Sequence, residues 1–301
     1  MSIEVEQNAV MQIIFHTGAH FTDDDRLIRC LLRNKDDFSK RGIAVPGPGK
    51  YRQLLRSTLR AMQSAPPDPS ARDVLLDAIL DEEAADRMLL SNAHFFGVAR
   101  SAVQNGVLYP HAAERLANLQ RLFPQDDLEV FMAIRNPATF LPLVLEKSPD
   151  QDIADLLGET DPRDVKWSEL LTVLRQAAPG IPITVWCNED TPLTWAQIIR
   201  DMAGLEHGQK IIGGFDLLKT IMSAEGMKRF RAYLHEHRNM TEMQKRRVIV
   251  AFLDKFALDD EIEEELDFPG WTTELVDEMT EIYDEDVQTI ERIPGVQFIS
   301  P

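Results

Sequence analysis

Met11-Gln-Ile-Ile-Phe15-His16-Thr-Gly18-Ala-His20-Phe-Thr22-Asp23-Asp-Asp25 is the stretch on which the fold turns. Residues 11–15 are a short apolar run rich in β-formers, and a helix-like apolar pattern follows over 23–34. Strand, tight loop and helix in that order open many nucleotide-binding α/β folds. In such folds the loop aims backbone N–H groups and a helix N-terminus at an anion. The Walker pattern G-x-x-x-x-G-K-[ST] is absent here. Counted from Gly18, Asp23 and Asp24 stand at the second Gly and the Lys positions.

Outward from that unit, short strands over 87–90, 128–134 and 181–186 alternate with helices. The helices are expected over 51–62, 70–83, 110–123, 137–147, 167–178 and 194–203, and a loop over 42–49 carries Pro46 and Pro48. Apolar strands alternating with helices predict a three-layer α/β fold whose parallel sheet is covered on both faces. From 215 onward the pattern is helical, over 215–222, 226–235, 241–256 and 271–293, with a small strand at 296–299. The chain therefore divides into an α/β core, 1–214, and a helical, acidic C-terminal region, 215–301, packed on it.

Of the 301 residues 44% are hydrophobic and 27% charged, a balance that suits a sizeable core. The net charge of −18 speaks against nucleic acid or an anionic membrane as partner, while leaving room for a pocket of opposite sign. Cys30 and Cys187 lack disulfide or metal spacing and read as small buried hydrophobes. Residues 1–7 carry no signal pattern and no apolar run reaches membrane length, so a cytoplasmic setting is expected. The stretch 259–286 holds 14 acidic residues and no Lys or Arg. It reads either as a solvated helical face or as a docking surface for a basic protein partner.

Ile14-Phe-His-Thr-Gly-Ala-His-Phe-Thr22 resembles the first motif of bacterial sulfotransferase-like proteins, strand then H-x-G-x-H-K-T-G-T-T then helix. His16, Gly18, His20 and Thr22 match by position. The similarity continues in Arg135-Asn-Pro137, in Trp186-Cys-Asn-Glu-Asp-Thr-Pro-Leu-Thr-Trp195, and in Tyr283-Asp-Glu-Asp286 with Ile293-Pro-Gly-Val-Gln-Phe-Ile299. The resemblance implies a P-loop fold and transfer of sulfate from 3′-phosphoadenosine 5′-phosphosulfate (PAPS) to a hydroxyl, often on a carbohydrate. It also implies that His16, Gly18, His20, Thr22 and Arg135 contact the nucleotide. Leu90-Ser-Asn-Ala-His-Phe-Phe-Gly97 is similar to the family's strand-end S-x-E-x-F-x-G stretch, with Ala93 or His94 near the acidic position. His20 and His94 are the catalytic candidates, and no metal is expected.

The departures fall at the loop. Phe21 stands where the family has Lys, Asp23 to Asp25 where it has Gly-Thr-Thr, and Leu143 where it has a phosphate-binding Ser. Losing one charge stabiliser costs about 10²–10³ in rate. Like charges about 4 Å apart cost roughly 4 kcal/mol at an effective dielectric near 20, more than the ~0.3–2 kcal/mol of a helix dipole. A degenerate loop follows, in which Thr22 caps the helix and Asp25 completes a capping box. Consecutive carboxylates point about 100° apart and do not converge on one ion, and His235-Glu-His237 fails as a metal pair for a similar reason. His16 and His20 either meet an anion when protonated or hydrogen-bond the loop. Two functional readings stand. The acidic run favours a binding or regulatory protein impaired in PAPS chemistry. Arg135 and the His16–His20 segment favour an active sulfotransferase with a carbohydrate or small-molecule acceptor.

Overall fold

A computed structural model describes residues 10–81, 83–148, 152–206, 208–262 and 268–301. The chain opens with β1 (Gln12–His16), α1 (Arg26–Arg33), α2 (Lys35–Ser39), β2 (Ile43–Ala44), α3 (Pro48–Ala61), α4 (Ala71–Leu80) and β3 (Arg87–Ser91). A hairpin follows, β4 (Val103–Gln104) and β5 (Val107–Leu108), then α5 (Ala112–Leu122), β6 (Asp127–Ile134), α6 (Pro137–Glu146), α7 (Ile153–Leu157), α8 (Trp167–Ala177) and β7 (Ile183–Cys187). The rest is α9 (Thr191–Ala203), α10 (Leu218–Ile221), α11 (Ala224–Glu236), α12 (Glu242–Phe256), α13 (Asp259–Ile262), α14 (Thr273–Ile290) and β8 (Val296–Phe298).

Six strands form one sheet in the order β2-β3-β1-β6-β7-β8, and every neighbouring pair is parallel. Both faces are covered. Along β1, Ile13 and Phe15 enter one core with Met88, Leu90, Val130 and Val185, while Ile14 enters the other with Leu89, Phe131 and Trp186. Successive strand side chains point to opposite faces, so burying both faces demands the nearly continuous apolar runs seen in the sequence. A third core, with Leu218, Met222, Met227, Phe230 and Ile249, lies among α10, α11 and α12. No helix among the described residues is long and apolar enough to cross a membrane.

Three expectations change. The segment 42–49 is not wholly loop: it holds the edge strand β2, and Pro48 opens α3, where a missing N–H costs little. The helix expected over 215–222 contracts to α10. Asn105-Gly106 was passed over, yet both have positive φ (50° and 76°) and close the β4–β5 hairpin, the turn that this dipeptide favours.

The acidic stretch is only partly described, since 263–267 lie outside the described residues. Within α14, Met279 and Tyr283 are buried in the first core. Asp286, 5% exposed, accepts hydrogen bonds from the Trp167 and Ser168 N–H groups at 2.8 and 3.1 Å. A carboxylate there satisfies donors that the first turn of α8 leaves open. Ile262 is exposed.

Candidate functional site

The carboxyl ends of β1, β3, β6 and β7 lie together, and this edge is where open parallel sheets bind ligands. The loop after β1 does not open toward solvent as a phosphate cradle would. Thr17 N–H donates to the Phe131 carbonyl (2.9 Å) and Ala19 N–H to the Ala133 carbonyl (2.8 Å), so the loop continues the ladder with β6. His20 N–H donates to the Tyr109 hydroxyl at 2.9 Å. Gly18 (φ 52°) supplies the turn between them.

Arg135 closes the far side. It is 7% exposed, and its guanidinium donates to the Phe21 carbonyl and, at 2.9 Å, to Thr139 Oγ1. Phe21, in the place of the family's Lys, packs with its ring 6.1 Å from that of Phe140.

The capping box is not formed. Thr22 Oγ1 donates to the Ala19 carbonyl (2.7 Å), and Asp25 is in the left-handed region at φ 60° with no capping hydrogen bond. Asp23 takes the capping part instead, accepting from the Leu27 N–H at 2.7 Å. The reason is the backbone: Asp24 (φ 48°) and Asp25 both adopt left-handed conformations, which delays α1 until Arg26 and swings the Asp25 side chain away. Asp25 meets Arg52 in a two-pronged ion pair at 2.6 and 3.0 Å, and the Arg52 hydrogen bonds hold its carboxyl below the usual carboxylate range. Burial pushes Asp23 up to about 6, against the Leu27 hydrogen bond. The helix entrance is thus capped in part by its own Asp23, and its carboxylates stand where an anion would dock. Among the described residues no group of three or more His, Cys, Asp or Glu is placed to hold a metal ion.

The histidines are hydrogen-bonded rather than charged. His16 Nδ1 lies 2.9 Å from Ser91 Oγ, with its ring stacked on Trp186. His16 Nε2, Thr17 Oγ1 and Trp186 Nε1 are buried without a partner among the described residues. His20 Nδ1 lies 2.8 Å from the Tyr109 hydroxyl and His20 Nε2 lies 3.0 Å from His94 Nδ1. The Tyr109 hydroxyl thus bridges the His20 backbone N–H and its ring, and the two imidazoles share one hydrogen bond. Burial lowers the pKa of His94, and a Gly97 backbone hydrogen bond opposes that lowering.

Burial takes both His16 and His20 down to about 4, helped by the Arg52 charge for His16 and by His94 for His20. Nuclear magnetic resonance of labelled histidines should find neither ring taking up a proton between about pH 8 and about pH 5; titration of either near pH 6.5 would refute the buried, neutral assignment. Because the unfolded side chains titrate near 6.5, the unfolded state binds more protons between 6.5 and about 4. Each ring then withdraws up to about 3 kcal/mol as pH falls through that window. Asp23, raised above its unfolded 3.8 to about 6, acts in the opposite sense over about 6 to 3.8.

Beside this loop lies a cavity of about 450 Å³, walled by α3, the segment after β3 and α5. Arg52, Arg56, Arg60, His94, Arg115 and Asn118 face it. The structure thus brings His16, Gly18, His20, Thr22 and Arg135 around one loop, and sets His94 between that loop and the cavity. Sequence reasoning missed Tyr109 and the arginines. The arginines had a signal, since Arg52, Arg56 and Arg60 recur every four residues and must share one helix face.

No family model and no curated protein matches the chain. Among solved structures it is similar to a protein described as a sulfotransferase from Alicyclobacillus acidocaldarius. The identity is 13%, the TM-score 0.39, and the match covers 86% of this chain and 97% of that one.

Proposed function

We propose that this chain is a binding protein on a sulfotransferase-like α/β scaffold, with its phosphate loop closed, and not a working PAPS-dependent transferase. One observation carries this reading: Arg135, the cation that the resemblance assigns to the nucleotide, is spent on the Phe21 carbonyl and Thr139 Oγ1, while Asp23, Asp24 and Asp25 set carboxylates at the helix entrance. A bisphosphorylated donor would have to displace those bonds, and each buried group left unpaired costs about 1–3 kcal/mol. His16, Gly18, His20, Thr22 and Arg135 then hold the loop shut rather than hold a nucleotide. PAPS does not fit these residues.

The second reading, an active sulfotransferase, draws on His20 and His94 lying side by side near the loop. Burial weighs against it. It lowers the pKa of both rings, which weakens either as a proton acceptor.

Calorimetry with adenosine 3′,5′-bisphosphate should show no binding at micromolar concentrations, and stoichiometric binding there sinks the proposal. Restoring the family residues with Phe21→Lys, Asp23→Gly, Asp24→Thr and Asp25→Thr should not create binding. The ladder bonds of Thr17 and Ala19 would persist, and Thr is β-branched at two left-handed positions.

A further inference from the structure

We infer that the arginine-walled cavity binds a small hydroxylated molecule carrying two or more anionic groups. Charge makes the first argument. The chain as a whole is at −18, yet this cavity gathers four arginines against a single carboxylate, the exposed Glu114. Arg56 and Arg60 make no ion pair or hydrogen bond with their side chains among the described residues. Arg52 is already engaged by Asp25 and the Ser91 carbonyl, and Arg115 donates to the His94 and Phe95 carbonyls at 3.4 and 3.3 Å. Like charges four apart on a helix repel, so α3 carries a repulsion that a bound anion relieves.

Geometry sets the ligand class. One helical rise of four residues separates successive arginines by about 6 Å, so two guanidinium forks can each take one sulfate, phosphate or carboxylate of the same molecule. The third element is Asn118, 7% exposed, which lines the cavity and makes no hydrogen bond to a described residue. An amide with both donor and acceptor unspent matches a hydroxyl. His94 lines the same space, its ring held by His20. The volume suits a small molecule and not a polymer.

The test is calorimetry of the full chain with glucose 2,6-disulfate, fructose 1,6-bisphosphate and tartrate, each an anion with free hydroxyls, and with sucrose as the uncharged control. At least one anion should bind at micromolar concentration in about 0.1 M salt, weakening as salt rises, while sucrose does not bind. The ranking of the three separates sulfate, phosphate and carboxylate as the preferred group. R56Q/R60Q changes two exposed side chains and should leave the melting temperature unchanged or raised while weakening binding at least about tenfold. Asn118→Leu should weaken binding of fructose 1,6-bisphosphate and leave that of 1,6-hexanediol bisphosphate, which has no hydroxyl, unchanged. R29Q/R33Q, which alters a second basic cavity lined by Arg26, Arg29, Arg33 and Trp195, should bind as the parent does. No binding by any anion overturns the inference, as does binding that R56Q/R60Q leaves intact or R29Q/R33Q removes. Adenosine 3′,5′-bisphosphate binding that survives R56Q/R60Q would count against the closed loop and leave this inference standing.

Discussion

Arg72→Ala should lower folding stability by about 3–5 kcal/mol, the range for removing one partner of a buried ion pair. Arg72 on α4 grips Asp126 with two hydrogen bonds, at 2.7 and 2.6 Å, and the Asp126 side chain is 0% exposed. The same carboxylate accepts the Met11 N–H at 3.1 Å, just ahead of β1. Truncating Arg72 strands a buried carboxylate at the point where the outer layer, β1 and the entrance to β6 meet. Urea denaturation measures the loss. The pair lies at the amino end of the sheet, away from the cavity, so anion binding by the folded variant should persist. The double variant Arg72→Ala, Asp126→Ala should recover part of the loss, because no charge is then left buried; Met11 N–H still lacks its acceptor. A cost below about 1 kcal/mol for Arg72→Ala would show that water reaches Asp126 and that the pair is not truly enclosed.

Tyr109→Phe should cost about 2–5 kcal/mol although it removes one oxygen. That oxygen accepts the His20 backbone N–H and lies 2.8 Å from His20 Nδ1, and both groups are buried. Each left without a partner costs about 1–3 kcal/mol. Tyr109 itself sits at φ 43°, a strain that Phe shares, so the comparison isolates the hydroxyl. The variant also removes a partner of the His20 ring, and the nitrogen chemical shifts of His20 and His94 should move. A near-neutral substitution with unchanged histidine spectra would refute the bridging role of the Tyr109 hydroxyl.

The strands were legible because a strand buried on both faces needs a nearly continuous apolar run, and β1, β3, β6 and β7 have one, interrupted only by Glu129 in β6 and Thr184 in β7. The helices α8 and α12 were legible through their apolar spacing, and α3 nearly so, short of Pro48 to Lys50 at its start. The hairpin was equally legible from Asn105-Gly106 and was missed because its strands are two residues long. Thr22 and Asp25 stand at the right spacing for a capping box, and that spacing misled. The left-handed backbone at Asp24 and Asp25 places Asp25 on Arg52, a pairing that no local pattern reveals.

From the order of apolar runs, caps and breakers alone came a parallel α/β sandwich, and with it the place of the first loop, since these depend on contacts within about a dozen residues. Whether that loop opens or shuts was decided by partners far along the chain: Arg52 is 27 residues from Asp25, Tyr109 is 89 from His20, and Arg135 is 114 from Phe21. The same holds for the cavity, where α3 and α5 become neighbours only because β3 lies beside β1 and β1 beside β6. Hydrogen-bond and charge partners are chosen by which strands are adjacent, and adjacency is a property of the folded sheet.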